Sequence, residues 1–144
     1  MTDGYKVRLE LKEDYYPNHP DIMDLEVCSY FFEKEINEIN GNVESKAKGG
    51  TIHLGLNSLP PKFILQWGMK HKMYDSGRIM IFSPHSDMSI VEEEIRFENA
   101  FCVNLKVKYN RYGTSHYTVF LTISAERISI GQTASMVDNR WLNK

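Results

Sequence analysis

The sequence predicts a mainly β domain, an antiparallel β-barrel with one α-helix packed at its side. Three observations predict it. From Ile95 to Tyr109 apolar residues occupy every second position with only Asn99 interrupting; further period-two runs recur along the chain; and a single segment, around Phe63, Ile64 and Trp67, has helical spacing. A strand this long is too long for a small flat sheet and suits one that spans a barrel or bends, and the bend is expected at Asn99 and Ala100.

The first strand alternates Tyr5, Val7, Leu9 and Leu11 with Lys6, Arg8, Glu10 and Lys12. Glu13 to Asp24, with Pro17, Asn18, Pro20 and Asp21, reads as a loop because proline and its neighbours break a ladder. The second strand, Leu25 to Phe32, is apolar or aromatic on both faces, which predicts cover on both sides. Glu33 to Lys48 is polar, contains the Asn40-Gly41 turn signal, and reads as a long exposed loop or protruding hairpin. Gly49 and Gly50 then open a strand in which Ile52, Leu54 and Leu56 alternate with Thr51, His53 and Gly55, the glycines suiting a sharp bend or a close backbone approach.

In the helix, Ser58 is the expected cap, Pro60 or Pro61 suits the first turn, and Lys70, His71 and Lys72 fall near the negative end. Asp75-Ser76-Gly77 reads as a turn into a strand from Arg78 to Phe82. Glu94, Arg96, Glu98, Ala100, Cys102, Asn104, Lys106 and Lys108 form the other, mostly charged or small register of the long strand. A turn around Gly113 leads to the last long strand, Tyr117, Val119, Leu121, Ile123 and Ala125, whose apolar register slips to Ile128 and Ile130 and so predicts a β-bulge near Glu126 and Arg127. Gly131 ends it, leaving a polar tail with Trp141. The sum is about seven strands and one helix.

The 144 residues make one domain, residues 1–144, able to bury roughly 68–70% of its unfolded surface. The composition, 42% hydrophobic and 25% charged, is that of a globular protein, and a net charge of -2 argues against a general binder of nucleic acid or anionic membrane. Met1 to Gly4 lacks the features of a signal peptide and no apolar run reaches membrane-spanning length, so the expectation is a cytoplasmic protein without membrane insertion that could leave the cell only by a route needing no cleavable signal. Cys28 and Cys102 are then expected as free thiols.

No phosphate-binding glycine loop, HExxH or CxxC motif appears. His19, His53, His71, His85 and His116 have no metal-ligand spacing, which leaves no metal or cofactor to expect. A Cys102 and His116 nucleophile-base pair lacks a nameable orienting group. Glu92, Glu93 and Glu94 read as a solvated face, and Trp67 with Phe63 and Ile64 as core rather than a ligand pocket. Tyr30 and Phe32 on one face of the second strand, Phe31 on the other, and Phe120 on the polar face of the last strand are unusual for a monomer: either the helix covers them or a neighbouring chain does. Two other classes compete. One is a barrel binding single-stranded nucleic acid through Tyr109, Tyr112 and Tyr117 beside Lys106, Lys108 and Arg111; the other is a monomeric barrel around a small apolar ligand.

The ordered segments CSYFF, an Asn-Gly loop ending in GGTIHLGL, then ILQW, SGRIMIF, RFENAFCV and LTISAERISIG resemble the Hcp (TssD) family, the tube proteins of type VI secretion systems, in its Bacteroidetes form. The similarity runs from about Leu25 to Trp141 and rests on the motif positions Cys28, Tyr30, Gly49, Gly50, Trp67, Gly77, Asn99, Ala100, Cys102, Ser124, Ala125, Gly131 and Trp141. The Glu13 to Asp24 connection is longer than the family's short turn, and Asn42 stands where the family often has Arg-Pro. The resemblance implies a barrel with a helix at its side, six copies closing into a ring, rings stacking into a tube, and expulsion by a contracting sheath. It implies no catalysis and no cofactor. The implied partners are further copies together with sheath, tip and effector proteins, and export proceeds through the apparatus without a signal peptide. By the same analogy the stacking element is the loop containing Glu35, Asn40, Gly41, Asn42, Glu44, Lys46 and Lys48.

Overall fold

A computed structural model describes residues 5–13, 20–33, 48–83, 91–112, 117–131 and 135–138. Its elements are β1 (Lys6–Lys12), β2 (Asp21–Leu25), β3 (Val27–Glu33), β4 (Lys48–Leu56), α1 (Lys62–Met69), β5 (Met73–Phe82), β6 (Val91–Tyr109), β7 (Tyr117–Ile130) and β8 (Ser135–Asp138). The strands form one antiparallel sheet in the order β2-β1-β5-β6-β7-β4-β3, with β8 added along β7. The sheet curls on itself: β2 and β3 stand at opposite ends of this path yet are separated only by Glu26, whose N–H donates to the Gly55 carbonyl at 2.8 Å, and β2 lies against β4. The mainly antiparallel β, barrel-like fold with one helix is the predicted one.

Its interior is filled by the alternating apolar sets. Leu9, Ile52, Ile79, Ile95, Phe97, Leu121 and Ile123 are at most 1% exposed. Each such side chain contributes on the order of 1.5–3 kcal/mol by leaving water. The helix completes the core. Ile64 and Trp67 are fully buried, the Trp67 indole N–H donates to the Ala100 carbonyl at 3.3 Å, and its ring meets Tyr74 edge-on at 5.1 Å. Gly68 lets the helix approach β6, since a Cβ there would lie 2.4 Å from Leu105 Cδ2.

Several local expectations are corrected. The Glu13 to Asp24 loop ends early, because Asp21–Leu25 is a strand: past Pro20 the residues alternate, with Met23 and Leu25 buried and Ile22 and Asp24 exposed. Leu25 and Phe31 do not share one strand, since the chain turns the barrel corner at Glu26. Ser58 does not cap the helix. Two prolines hold the chain extended, Pro61 itself takes the cap position with no side-chain bond, and its carbonyl accepts from the Ile64 and Leu65 N–H groups at 3.0 and 3.2 Å. Asp75-Ser76-Gly77 is no turn: β5 runs straight through it, and Gly77 is needed because the Phe97 ring lies where a Cβ would sit. The tail is not merely polar coil, since Ser135–Asp138 pairs with Arg127–Ile130.

The bend at Asn99 is real and changes the face pattern. Asn99 has φ 52°, and there β6 switches which parity points inward: Ile95 and Phe97 are buried before it, Ala100 after it, while Val103 is 59% exposed. Ala100 and Cys102 therefore belong to the inner face, not the polar one. A register shift between Cys102 and Asn104 restores the first parity, so Leu105 and Val107 pack on the core again. The slip in β7 is likewise real but is not a one-sided bulge. Glu98↔Arg127 and Ala100↔Ala125 remain in one register, so both strands flip together around the facing Asn99 and Glu126, with Asn99 Nδ2 donating to Glu126 Oε1 at 2.7 Å.

Candidate assembly surface

The outer face of β3, β4 and β7 carries an apolar group where a solvated sheet would be polar. The ladders place Val27, Gly55, Phe120 and Lys106 in one row across four strands, and Ser29, His53, Thr122 and Asn104 in the next. Gly55 is the low point: Val27 Cβ and Phe120 Cδ1 would lie 3.4 and 3.5 Å from a Cβ there. Val27 and Phe31 are each 54% exposed, Phe120 49% and Tyr30 42%. Among the described residues the expected cover on both sides of this strand is therefore only partial: Cys28 packs on the core, but Val27 and Phe31 on the other face stay exposed, and the helix, which packs on β6, does not cover them. Among the described residues β3 pairs with β4 alone, so its other edge has no strand partner among them. His53 lies in the middle of this face, its ring nitrogens 3.0 Å from Thr122 Oγ1 and 3.4 Å from Thr51 Oγ1.

The outer face of β1, β5 and β6 is of the opposite character. Arg78 joins Glu10 at 3.3 Å to Glu94 at 3.8 Å, Glu94 also holds Arg96, and Lys12 meets Glu10 at 3.4 Å. A groove of about 340 Å³ lies here between Glu10, Lys12, Ser76, Arg78, Arg96 and Glu98. Its charges are mutually matched, so it suits a water-facing wall better than a binding centre.

Burial favours the neutral forms of the Cys28 and Cys102 thiols and the Tyr74 phenol. Burial, with the Glu93 carboxylate adding to it, pushes the Cys28 thiol up to about 11. Burial also raises Cys102, against the pull of backbone hydrogen bonds at Asn104 and Thr122. Both cysteines are unpaired, as expected. Burial holds the Tyr74 phenol far above its ordinary value, reinforced by its 2.8 Å hydrogen bond to Asp21 and by the Asp21 and Glu13 carboxylates. Lys72 Nζ sits 2.8 Å from Glu13 and 4.8 Å from the Tyr74 ring centroid, and His71 stacks on Phe101 at 4.9 Å. The contacts of Tyr74 with Asp21, Lys72 with Glu13 and His71 with Phe101 were not visible in the sequence, because each joins segments far apart along the chain.

The motif positions are mostly constraints on the fold. Gly49 and Gly50 lie in β4, with Gly50 buried; Ser124 and Ala125 lie in β7, where pairing passes from β4 to β8. Gly131, at φ 69°, closes β7 and donates its N–H to the Glu94 carbonyl at 2.8 Å. Trp67 is a fully buried core residue. Of the proposed stacking positions, Glu35, Asn40, Gly41, Asn42, Glu44 and Lys46 lie outside the described residues, as does Trp141; only the backbone of Lys48 is described, as the first residue of β4. His19, His85 and His116 are also outside them, and with His116 the Cys102 pair. Among the described residues no cluster of His, Cys, Asp and Glu could hold a metal ion, and no helix is long and apolar enough to cross a membrane.

Comparison with known proteins agrees with this architecture. The family model for hemolysin coregulated protein Hcp (TssD) matches residues 4–142. Hcp1 from Flavobacterium johnsoniae superposes with a TM-score of 0.70 at 20% identity, over 91% of this chain and 98% of that one. An Hcp1 from the E. coli EAEC 042 pathovar gives 0.69 at 10% identity, over 90% and 94%. The sheath–tube complex of PVC, an extracellular contractile injection system, contains a chain that gives 0.55 at 13% identity, over 88% and 86%. No curated protein sequence matches. With its family's model matched from residue 4 to residue 142 and the fold shared over 91% of its length, the chain belongs to the Hcp (TssD) family.

Proposed function

We propose that the chain is the tube subunit of a type VI secretion apparatus: six copies close into a ring, rings stack into a tube, and sheath contraction drives the tube out, with effectors carried along it. Family membership supports the reading, as does a fold shared with chains of an injection-system sheath–tube complex and of a tube-terminating cap. The observation that carries it is the open edge and exposed outer face at β3, with Val27, Phe31 and Phe120 uncovered in the single subunit. A ring subunit needs two different surfaces that recognise each other head to tail, and an unpaired strand beside an apolar patch is a natural one. Hcp proteins act structurally rather than as enzymes, and the matched charges and neutral inward groups fit a mechanical part. On this reading the subunit is made in the cytoplasm and leaves through the apparatus. Partners are therefore further copies, sheath and tip proteins, and effectors.

The test is native mass and electron microscopy. A species near six times 16.8 kDa and ring-shaped particles are expected. A strict monomer at high concentration, especially one with a filled apolar cleft, refutes the reading. Shortening Ile36 to Ser45 should leave rings but abolish tubes; normal tubes from that variant remove the stacking role of the loop.

A further inference from the structure

The charges of this subunit are sorted along its longest strand. From Asn104 to Ala125 the sequence has no Asp or Glu, and the β6–β7 arm carries Lys106, Lys108 and Arg111, all exposed and, among the described residues, without an ion pair. Exposed Tyr109 and Tyr112 stand among them, with Arg111 over the Tyr112 ring at 5.1 Å. Where β6 begins, a groove of about 500 Å³ opens between Val91, Glu92, Glu93, Glu94, Ser129 and Gly131. Glu94 is held by Arg78 and Arg96, but Glu92 and Glu93 are exposed and have no ion pair among the described residues. Arg96 also lines the groove, engaged by Glu94. At about 3.3 Å per residue the two ends lie up to roughly 40 Å apart along the strand. They cannot neutralise each other within one molecule. Elsewhere on the sheet several charges are matched: Arg8 with Asp24, Arg78 with Glu10, Arg127 with Glu98.

We infer that the cationic, tyrosine-bearing arm of one copy docks in the Glu92–Glu93 groove of a second copy of this chain. Copies placed head to tail bring opposite unmatched charges together at every junction, which no copy can achieve alone. The arm is also continuous with the apolar outer face, since Lys106 follows Phe120 in the same row as Val27 and Gly55, so one contact covers both. Tyrosine and arginine at its tip are the side chains that interfaces favour. The inference rests on the tube-subunit reading and assigns it one of its contacts.

The test uses the full chain and two charge-reversed variants, Glu92→Lys with Glu93→Lys, and Lys106→Glu with Lys108→Glu, each checked for folding by its melting transition. Assembly is followed by native mass, sedimentation and electron microscopy. Each variant alone should need at least about tenfold higher concentration to assemble, because like charges then face each other at every junction. An equimolar mixture should recover assembly, because each reversed end meets its reversed complement. Loss of rings places the contact within a ring and loss of tubes alone places it between rings; either supports the docking. Wild-type assembly should weaken as salt rises from 50 to 500 mM. Variants that assemble like the wild type, or a mixture that fails to recover, overturn the inference while leaving the tube reading intact; a wild type that never assembles sinks the tube reading instead. If Lys106→Glu with Lys108→Glu abolishes binding of a labelled single-stranded oligonucleotide and leaves assembly untouched, the arm is a nucleic-acid surface and the docking is wrong.

Discussion

Gly77→Ala should destabilise the fold, and the sign of the effect separates two accounts of this residue. As part of a surface turn, Gly77 could be replaced with a gain of about 0.4–1 kcal/mol, because alanine restricts the unfolded chain. In the folded sheet a Cβ at this position would lie 2.4 and 2.5 Å from Phe97 Cζ and Cε1, with the Glu10 carbonyl oxygen at 3.1 Å. Phe97 is 1% exposed and faces Ile128 across the ladder, so its ring must retreat by about 1 Å into a filled core. Overpacking of this kind costs about 1–3 kcal/mol, and a domain of this size loses roughly 2–4 °C of melting temperature per kcal/mol. A fall of about 2–12 °C by calorimetry is therefore expected, with an unchanged denaturant slope. Phe97→Leu removes the two clashing ring atoms, so the double variant should be more stable than the sum of the single effects by at least about 1 kcal/mol. A Gly77→Ala protein as stable as the wild type, or additive behaviour in the cycle, would show that the close approach does not govern this position.

The remaining predictions concern buried polar groups. Asn99→Asp keeps a residue type that tolerates the left-handed backbone but sets a carboxylate against Glu126 where an amide donated; a loss of about 2–3 kcal/mol at pH 7 is expected, smaller in acid where the two carboxyl groups can share a proton. Equal stability at pH 7 and pH 5 would contradict it. Tyr74→Phe should cost about 1.5–3 kcal/mol for the lost bond to Asp21. Because the folded phenol lies above its unfolded value, the stability it contributes is present below about pH 10 and drains away as pH rises further, so the variant should show a shallower alkaline decline in melting temperature. The Cys28 thiol, near 11 in the fold against an ordinary 9.0, adds a loss beginning near pH 9 and should carry about a hundredfold less thiolate than a free cysteine at neutral pH. Alkylation followed by mass spectrometry should find both cysteines slow in the native protein and fast, without reductant, once it is unfolded; rapid native labelling of Cys28 would refute its burial.

Fold class was legible because it follows from a local signal. Alternation over Lys6–Lys12, residues 52–56 and residues 119–125 survives in the structure, since each of those stretches keeps one face on the core throughout. Misreadings occurred where local chemistry has two uses. Asp75-Ser76-Gly77 has turn composition, but Gly77 serves a long-range contact with Phe97, a residue whose proximity no window of sequence contains. Asp21–Leu25 is too short for its alternation to outweigh two nearby prolines. In β6 the polar interruption at Asn99 correctly marked a bend, yet alternation alone could not reveal that the inward parity reverses there and is reversed back beside Val103.

That double reversal explains why the assembly surfaces were only half legible. Between Asn99 and Val103 the inner and outer registers of β6 exchange, which sends Ala100 and Cys102 inward and puts Phe101 outside on His71. Beyond it, Lys106 and Lys108 share the outer face with Phe120. Phe120, Tyr30 and Phe31 were recognisable as misplaced aromatics, because alternation assigns each a face. Val27 was not, because valine is ordinary in any strand and its exposure depends on the corner at Glu26. The lysines and glutamates at the two ends of β6 each have the composition of a solvated face. Their significance lies in a relation between ends, both left unmatched on a sheet where Arg8, Arg78 and Arg127 each meet a carboxylate, and a relation of that kind becomes visible only when the fold shows which charges have found partners.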